Sequence, residues 1–191
     1  TRPMPTPEEQ LARALDALRS AQRDGVARAD ALSRSDRERL LRSGFAQEVI
    51  RGWLIVAHPS LSDGGSTGWY ASFWAFVQRY LADRFGDAYC LSAESSLRRH
   101  ARSPLIPRQV TVVVREGSNQ TVTLPFETSL LICRDAGNFP ADRVRLDGLQ
   151  LMGLPTALAR AAPSFFQASP DDAQVALRLL RDPSPLLRVL L

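Results

Sequence analysis

The sequence predicts an α+β protein in two parts: a winged helix-turn-helix over residues 1–57 and an α+β domain with a small, mostly antiparallel sheet over residues 66–191. Three observations predict it. Helical patterns with their own start and stop signals fill the chain up to Gly44. The period then changes from helical to alternating in two runs separated by two residues. After an aromatic helix, short β-branched runs and turn dipeptides alternate with further helix signals, the pattern of helices bracketing a small sheet.

Thr6-Pro7-Glu8-Glu9 is a capping box with proline at the first helical position. Leu11, Ala14, Leu15 and Leu18 follow at helical spacing, so a helix of about four turns turns one face inward. After Gly25, Val26 and Leu32 frame a second short helix around Arg28 to Leu32. Ser35-Asp36-Arg37-Glu38 reads as a second capping box, opening a third helix through Leu40 and Leu41 that stops at Gly44. Gln47 to Ile50 and Trp53 to Val56 are strand-like, and Arg51-Gly52 between them is a hairpin tip.

Three short helices and a hairpin stand in the order of a winged helix-turn-helix, with the third helix as recognition helix and Arg51-Gly52 as the wing. Leu40 and Leu41 are then core. Arg34, Ser35, Arg37, Arg39 and Arg42, with Arg51 on the wing, are left for solvent or for the phosphates and guanine edges of double-stranded DNA. Ten arginines up to position 51 face eight acids, a net of +2. A solvated charged helix in a domain that makes protein contacts is the competing reading of the same residues.

Residues His58 to Gly68 are rich in Pro, Ser, Asp and Gly and form a linker. Trp69, Tyr70, Phe73, Trp74, Phe76, Val77, Tyr80 and Leu81 then fall in one arc of a helix from Thr67 to Arg84, the expected hub of the second domain. Strands are expected at Ala88 to Leu91, Gln109 to Arg115, Thr121 to Leu124, Ser129 to Cys133, and in a hairpin from Val144 to Met152 turning at Asp147-Gly148. Ser92 caps a helix over Ala93 to His100, and Pro155 and Ser169-Pro170-Asp171-Asp172 open the last helices. Between them, Arg98, Arg99, Arg102 and Arg108 with no intervening acid form the densest basic stretch. It is either a second anion or nucleic-acid patch or a solvated loop.

Composition bounds the chemistry. All 24 basic residues are arginine, which removes Schiff-base, pyridoxal-phosphate and Walker-lysine chemistry. Their excess of 4 over the 20 acids leans toward an acidic partner. Cys90 and Cys133 are too few for a disulfide framework, and with His58 and His100 far apart they make no metal motif; a reducing cytoplasm is expected, with no metal and no cofactor. No apolar run approaches the roughly 20 residues of a membrane span. Gly64-Gly65-Ser66-Thr67-Gly68 matches G-x-S-x-G, but no buried strand leads into Ser66, so a helix cap explains it better than a nucleophile elbow. His58-Pro59 with Asp63-Gly64-Gly65 departs from the Fic motif at Ser60 and lacks its Asn and Arg. No catalytic residue is assigned. The chain opens at Thr1 without methionine and closes on Leu186, Leu187, Val189, Leu190 and Leu191, an uncovered apolar face that suggests a piece of a longer protein or a docked partner.

Leu41-Arg42-Ser43-Gly44-Phe45 followed by Val49-Ile50-Arg51-Gly52-Trp53 resembles the N-terminal domain of AbiEi-type transcriptional regulators, the antitoxins of type IV toxin-antitoxin systems. Leu91 to Leu97 with His100, and Leu154 to Leu158, resemble their second-domain segments. Ser66-Thr67-Gly68-Trp69-Tyr70-Ala71-Ser72-Phe73-Trp74 resembles a version found upstream of the Fic domain in some bacterial Fic proteins. The resemblance implies operator binding with autorepression through the winged helix. It also implies a second domain that neutralises a cognate toxin or restrains a linked Fic or nucleotidyltransferase-type enzyme.

Overall fold

The computed structural model describes residues 6–59 and 66–191. They form a mixed α+β protein with small sheets and divide into two units. One runs to Arg79 and takes in Leu124–Phe126; the other comprises Tyr80–Thr123 and Glu127–Leu191.

In the first unit, α1 (Pro7–Ala21) starts on the expected capping box: the Glu9 amide donates to Thr6 Oγ1 at 3.2 Å and the Thr6 amide donates to Glu9 Oε2 at 2.8 Å. Ala14 and Leu18 are its buried face. Asp24 and Gly25, both at positive φ, turn the chain into β1 (Val26–Arg28), followed by a single 3-10 turn at Ala29–Ala31. This replaces the short helix expected around Arg28 to Leu32. Val26 and Ala27 are fully buried, and β1 pairs antiparallel with β3 (Trp53–Val56), so the ladder satisfies backbone groups that an isolated turn of helix would leave open.

Next comes α2 (Arg34–Arg42), whose cap lies two residues before the predicted one. Ser33 is the N-cap, accepting from the Asp36 amide at 3.1 Å and donating to Asp36 Oδ2 at 2.6 Å. The reciprocal bond of the expected capping box is not made: Asp36 at N3 takes the Ser33 hydroxyl rather than its amide, and Ser35 sits in the first turn with its hydroxyl 3.1 Å from that of Ser33. Gly44 ends the helix at φ +73, where a side chain would be strained. β2 (Ala46–Ile50) pairs with β3 across Arg51-Gly52, and the sheet order is β1-β3-β2. Leu40 and Leu54, both fully buried, pack with Ala14, Leu18, Ala27 and Leu32 into the core, and Leu41 packs against it half-buried.

The aromatic helix α3 (Thr67–Phe85) was expected to belong wholly to the second domain; up to Arg79 it belongs to the first unit. The reason is Trp53 at the start of β3. Phe76 meets its ring edge-on at 5.8 Å, Arg28 and Arg79 lie at 5.0 and 5.9 Å from its centroid, and the Arg79 guanidinium donates to the Val26 carbonyl. Ser72, assigned by its position on the helix to the solvent side, is buried where Gly25 approaches it. Tyr70, assigned to the buried arc, is 40% exposed and lies 6.2 Å from the Phe126 ring.

In the second unit β4 (Tyr89–Leu91), β5 (Gln109–Val114), β6 (Gln120–Thr123) and β7 (Ser129–Arg134) form a sheet in the order β4-β5-β7-β6. Consecutive strands β5 and β6 do not pair: β7 lies between them, parallel to β5 and antiparallel to β6. β7 buries Leu130 and Ile132 and gains from a neighbour on each side, whereas β6 exposes Thr121 and Thr123 and suits an edge. β8 (Arg143–Leu146) and β9 (Leu149–Met152) make the expected hairpin, with Asp147 and Gly148 both at positive φ. Helices α4 (Ala93–His100), α5 (Leu154–Arg160), α6 (Pro163–Ala168), α7 (Pro170–Leu179) and α8 (Ser184–Leu190) complete the unit. Leu97, Met152, Ala157, Leu158, Phe165 and Ala176 are central to its core.

Candidate nucleic-acid interface

The geometry sorts the five arginines of the predicted interface into two kinds. Arg34 is 85% exposed at the start of α2, Arg42 is exposed at its end, and Arg51 is exposed at the hairpin tip, where Gly52 at φ +88 makes the turn. Ser35 is exposed beside them. On the helical wheel Arg34, Ser35, Glu38 and Arg42 share the outward arc opposite Leu40. Arg37, half-buried, flanks it. Arg39 turns away: it donates to Gln10 Oε1 on α1 at 2.5 Å and pairs with Asp36 at 3.6 Å, holding α1 against α2. The expected outward role of Arg39 is therefore replaced by a structural one, because an acceptor on α1 and a carboxylate one turn back reach it first.

Glu38 is the residue sequence reasoning passed over. Its Oε1 accepts from Arg34 Nε at 2.8 Å, and that bond, reinforced by the charges of Arg34, Arg42 and Arg37, holds its carboxyl below the usual carboxylate range. The same bond raises the Arg34 guanidinium. The i, i+4 spacing was visible in the sequence. Its consequence is that the outward face of α2 carries two arginines and one acid, so a phosphate has to compete with Glu38 for Arg34. Arg13 was also missed; it is exposed on α1 and lines a shallow notch with Gln10, Ser33, Ser35, Asp36 and Arg39.

The second basic stretch does not form a patch. Arg98 donates to Ser169 Oγ at 3.2 Å, lies 4.0 Å from Asp172 and stacks 5.3 Å from the Phe165 ring centroid. Ser169 holds the N-cap position of α7 but makes no side-chain cap there. Arg99 is 14% exposed and donates to Asp147 Oδ2 at 3.0 Å. Arg102, at φ +53, and Arg108 are left to solvent, and Arg108 lies 3.7 Å from Glu127. Compact packing consumes the two arginines of α4, and with them the run of four that suggested an anion site.

Ser66 uses its backbone carbonyl to accept from the Tyr70 amide at 2.9 Å at the start of α3, while Gly64, Gly65 and Asp63 lie outside the described residues. His100, on α4, is hydrogen-bonded through Nε2 to the Met152 carbonyl at 2.8 Å. Cys90 is fully buried on β4, and burial pushes its thiol up to about 12. Among the described residues no group of three or more His, Cys, Asp or Glu is placed to hold a metal, and no helix is long and apolar enough to cross a membrane. No protein-family model matches the chain, and no curated protein matches it.

Proposed function

We propose that the chain is a non-enzymatic, cytoplasmic DNA-binding transcriptional regulator of antitoxin type, whose N-terminal unit is a winged helix and whose second domain neutralises or restrains a cognate toxin or linked enzyme. One observation carries the reading. Arg34, Ser35 and Arg42 are exposed on the outward face of α2 and Arg51 on a glycine-based hairpin tip, the exposure and order that a recognition helix and its wing require. The second helix of the expected helix-turn-helix is reduced to the 3-10 turn Ala29–Ala31, and β1 pairs with β3 in the same sheet, so the hairpin rests on a third strand. On this reading α2 enters the major groove of the operator, Arg51 follows the phosphate backbone, and Arg13 adds a phosphate contact from α1.

The test is a titration of the whole chain with duplex DNA from upstream of its own gene, at several salt concentrations. Binding that weakens steeply with salt is expected. No binding to any such duplex at low salt overturns the reading.

A second reading, a regulatory module of a larger Fic-type protein without significant DNA binding, is favoured by the exposed apolar side chains of Val175, Leu177 and Leu179 on α7 and of Leu187, Val189, Leu190 and Leu191 on α8 and after it. Co-purification with the flanking gene product, and a change in that product's activity, distinguish it.

A further inference from the structure

The first unit contains an apolar pocket of about 330 Å³, open to solvent on one side and lined by Leu15 and Leu18 of α1, Phe45, Val56 of β3 and Ala57. Its volume sits at the small end of ligand pockets, which run from about 300 to 1,000 Å³. Three polar side chains line it as well, Arg19, Gln22 and His58, and among the described residues no carboxylate does.

Two of those three, Gln22 and Arg19, offer donors to the pocket. Gln22 spends its carbonyl oxygen on the Gly25 amide at 2.8 Å, which fixes the orientation of the side-chain amide and leaves its NH2 as the group to offer a ligand. Arg19 pairs with Asp16 at 3.4 Å, and both side chains are more than 70% exposed, so exchanging that partner for a desolvated one costs little. A cation and an amide donor at the edge of an open apolar pocket suit an anion with an apolar body. Inorganic phosphate gains nothing from Phe45 and Leu15, and a cationic ligand meets Arg19.

We propose that this cavity binds a small organic carboxylate with an aromatic or branched aliphatic body, the body packed against Phe45, Leu15, Leu18 and Val56 and the carboxylate on the Arg19 guanidinium and the Gln22 amide. The site is wired to both parts of the candidate interface. The Phe45 amide donates to the Leu40 carbonyl of α2 at 3.0 Å, and the Phe45 carbonyl accepts from the Ala57 amide just after the hairpin at 2.9 Å. A ligand filling the cavity braces the end of α2 against the base of the hairpin. Any resulting change in DNA affinity rests on the function proposed above; the binding itself does not.

The test is a calorimetric or NMR titration of the whole chain with sodium phenylacetate, indole-3-acetate and isovalerate, with phenylacetamide as the uncharged control. Saturable one-to-one binding of at least one carboxylate is expected, weakened about tenfold or more by Arg19→Gln with the melting temperature unchanged. The cavity-filling Ala57→Phe abolishes it. The proposal is overturned if none of the three carboxylates saturates, if phenylacetamide binds as tightly as phenylacetate, or if Arg19→Gln leaves the affinity unchanged. That last arm decides the matter even where Ala57→Phe fails to fold. Repeating the titration beside a DNA-binding measurement separates the two claims: carboxylate binding without DNA binding removes the regulator reading and leaves the site, and the reverse removes the site alone.

Discussion

Two arginine-rich stretches of this chain have opposite fates. In α2 and the hairpin tip, Arg34, Arg42 and Arg51 project outward; in α4, Arg98 and Arg99 are drawn onto Ser169, Asp172, Phe165 and Asp147. The difference lies in what each helix is packed against. α2 buries one side chain, Leu40, completely, and Arg39 ties it to α1. α4 buries Ala93, Ser95, Ser96 and Leu97, so its flanking arginines lie within reach of neighbouring elements and pair there. Charge density along a sequence therefore locates arginines without saying whether they face a ligand or the protein.

The largest expected effect that could break this comparison is on DNA affinity. Arg34→Ala with Arg42→Ala removes two outward cations, and binding to upstream DNA should fall by about a hundredfold at moderate salt, from ~1–1.5 kcal/mol for each phosphate interaction. Stability should stay within about 0.5 kcal/mol of the parent in urea unfolding, since both side chains are exposed. Equal losses of affinity and stability would contradict the division.

The complementary substitution is Arg98→Ala. It leaves Asp172 without its nearby guanidinium and strips a cation from the Phe165 ring, so it should cost about 1–3 kcal/mol of stability with DNA affinity unchanged. Arg39→Ala lies between the two: about 1 kcal/mol is expected from losing the Gln10 bond, with a small loss of DNA affinity through a looser α1–α2 packing. Glu38→Gln gives the smallest change and the opposite sign. Freeing Arg34 from its carboxylate partner should raise DNA affinity about threefold, read by fluorescence anisotropy at low salt.

Much of this architecture was legible along the chain. The Thr6 capping box, the hairpin over Ala46–Val56, the Ser92-capped helix and the Asp147-Gly148 turn are all local signals, and each formed where it was read. What escaped depended on distance. Nothing near Val26 says that it will pair with Ile55, and nothing near Gln109 says that β7 will lie between β5 and β6. The partners of Arg98 and Arg99 stand 71 and 48 residues away, which is why a run of four arginines read as a patch. At the candidate interface the exposure of Arg42 was readable from the helical period and that of Arg51 from the hairpin tip, whereas the capture of Arg39 needed the position of Gln10 on another helix.

The dryness of the second unit can be checked independently. Burial raises the Cys90 thiol to about 12, so at pH 8 a maleimide should modify the native protein at Cys133 only and both cysteines after unfolding. Between the ordinary thiol range near pH 9 and about 12, the unfolded chain sheds a proton that the native chain keeps, so stability should fall as the pH rises through that window.

The most direct measurement is the salt dependence of DNA binding by the parent chain and by the Arg34→Ala, Arg42→Ala double variant. If those two arginines meet phosphates, the slope of log affinity against log salt becomes shallower by about 1.8 in the variant, at ~0.9 for each phosphate no longer neutralised. An unchanged slope, or a parent chain that binds no DNA from its own locus at low salt, would contradict the assignment of α2 as the DNA-facing helix.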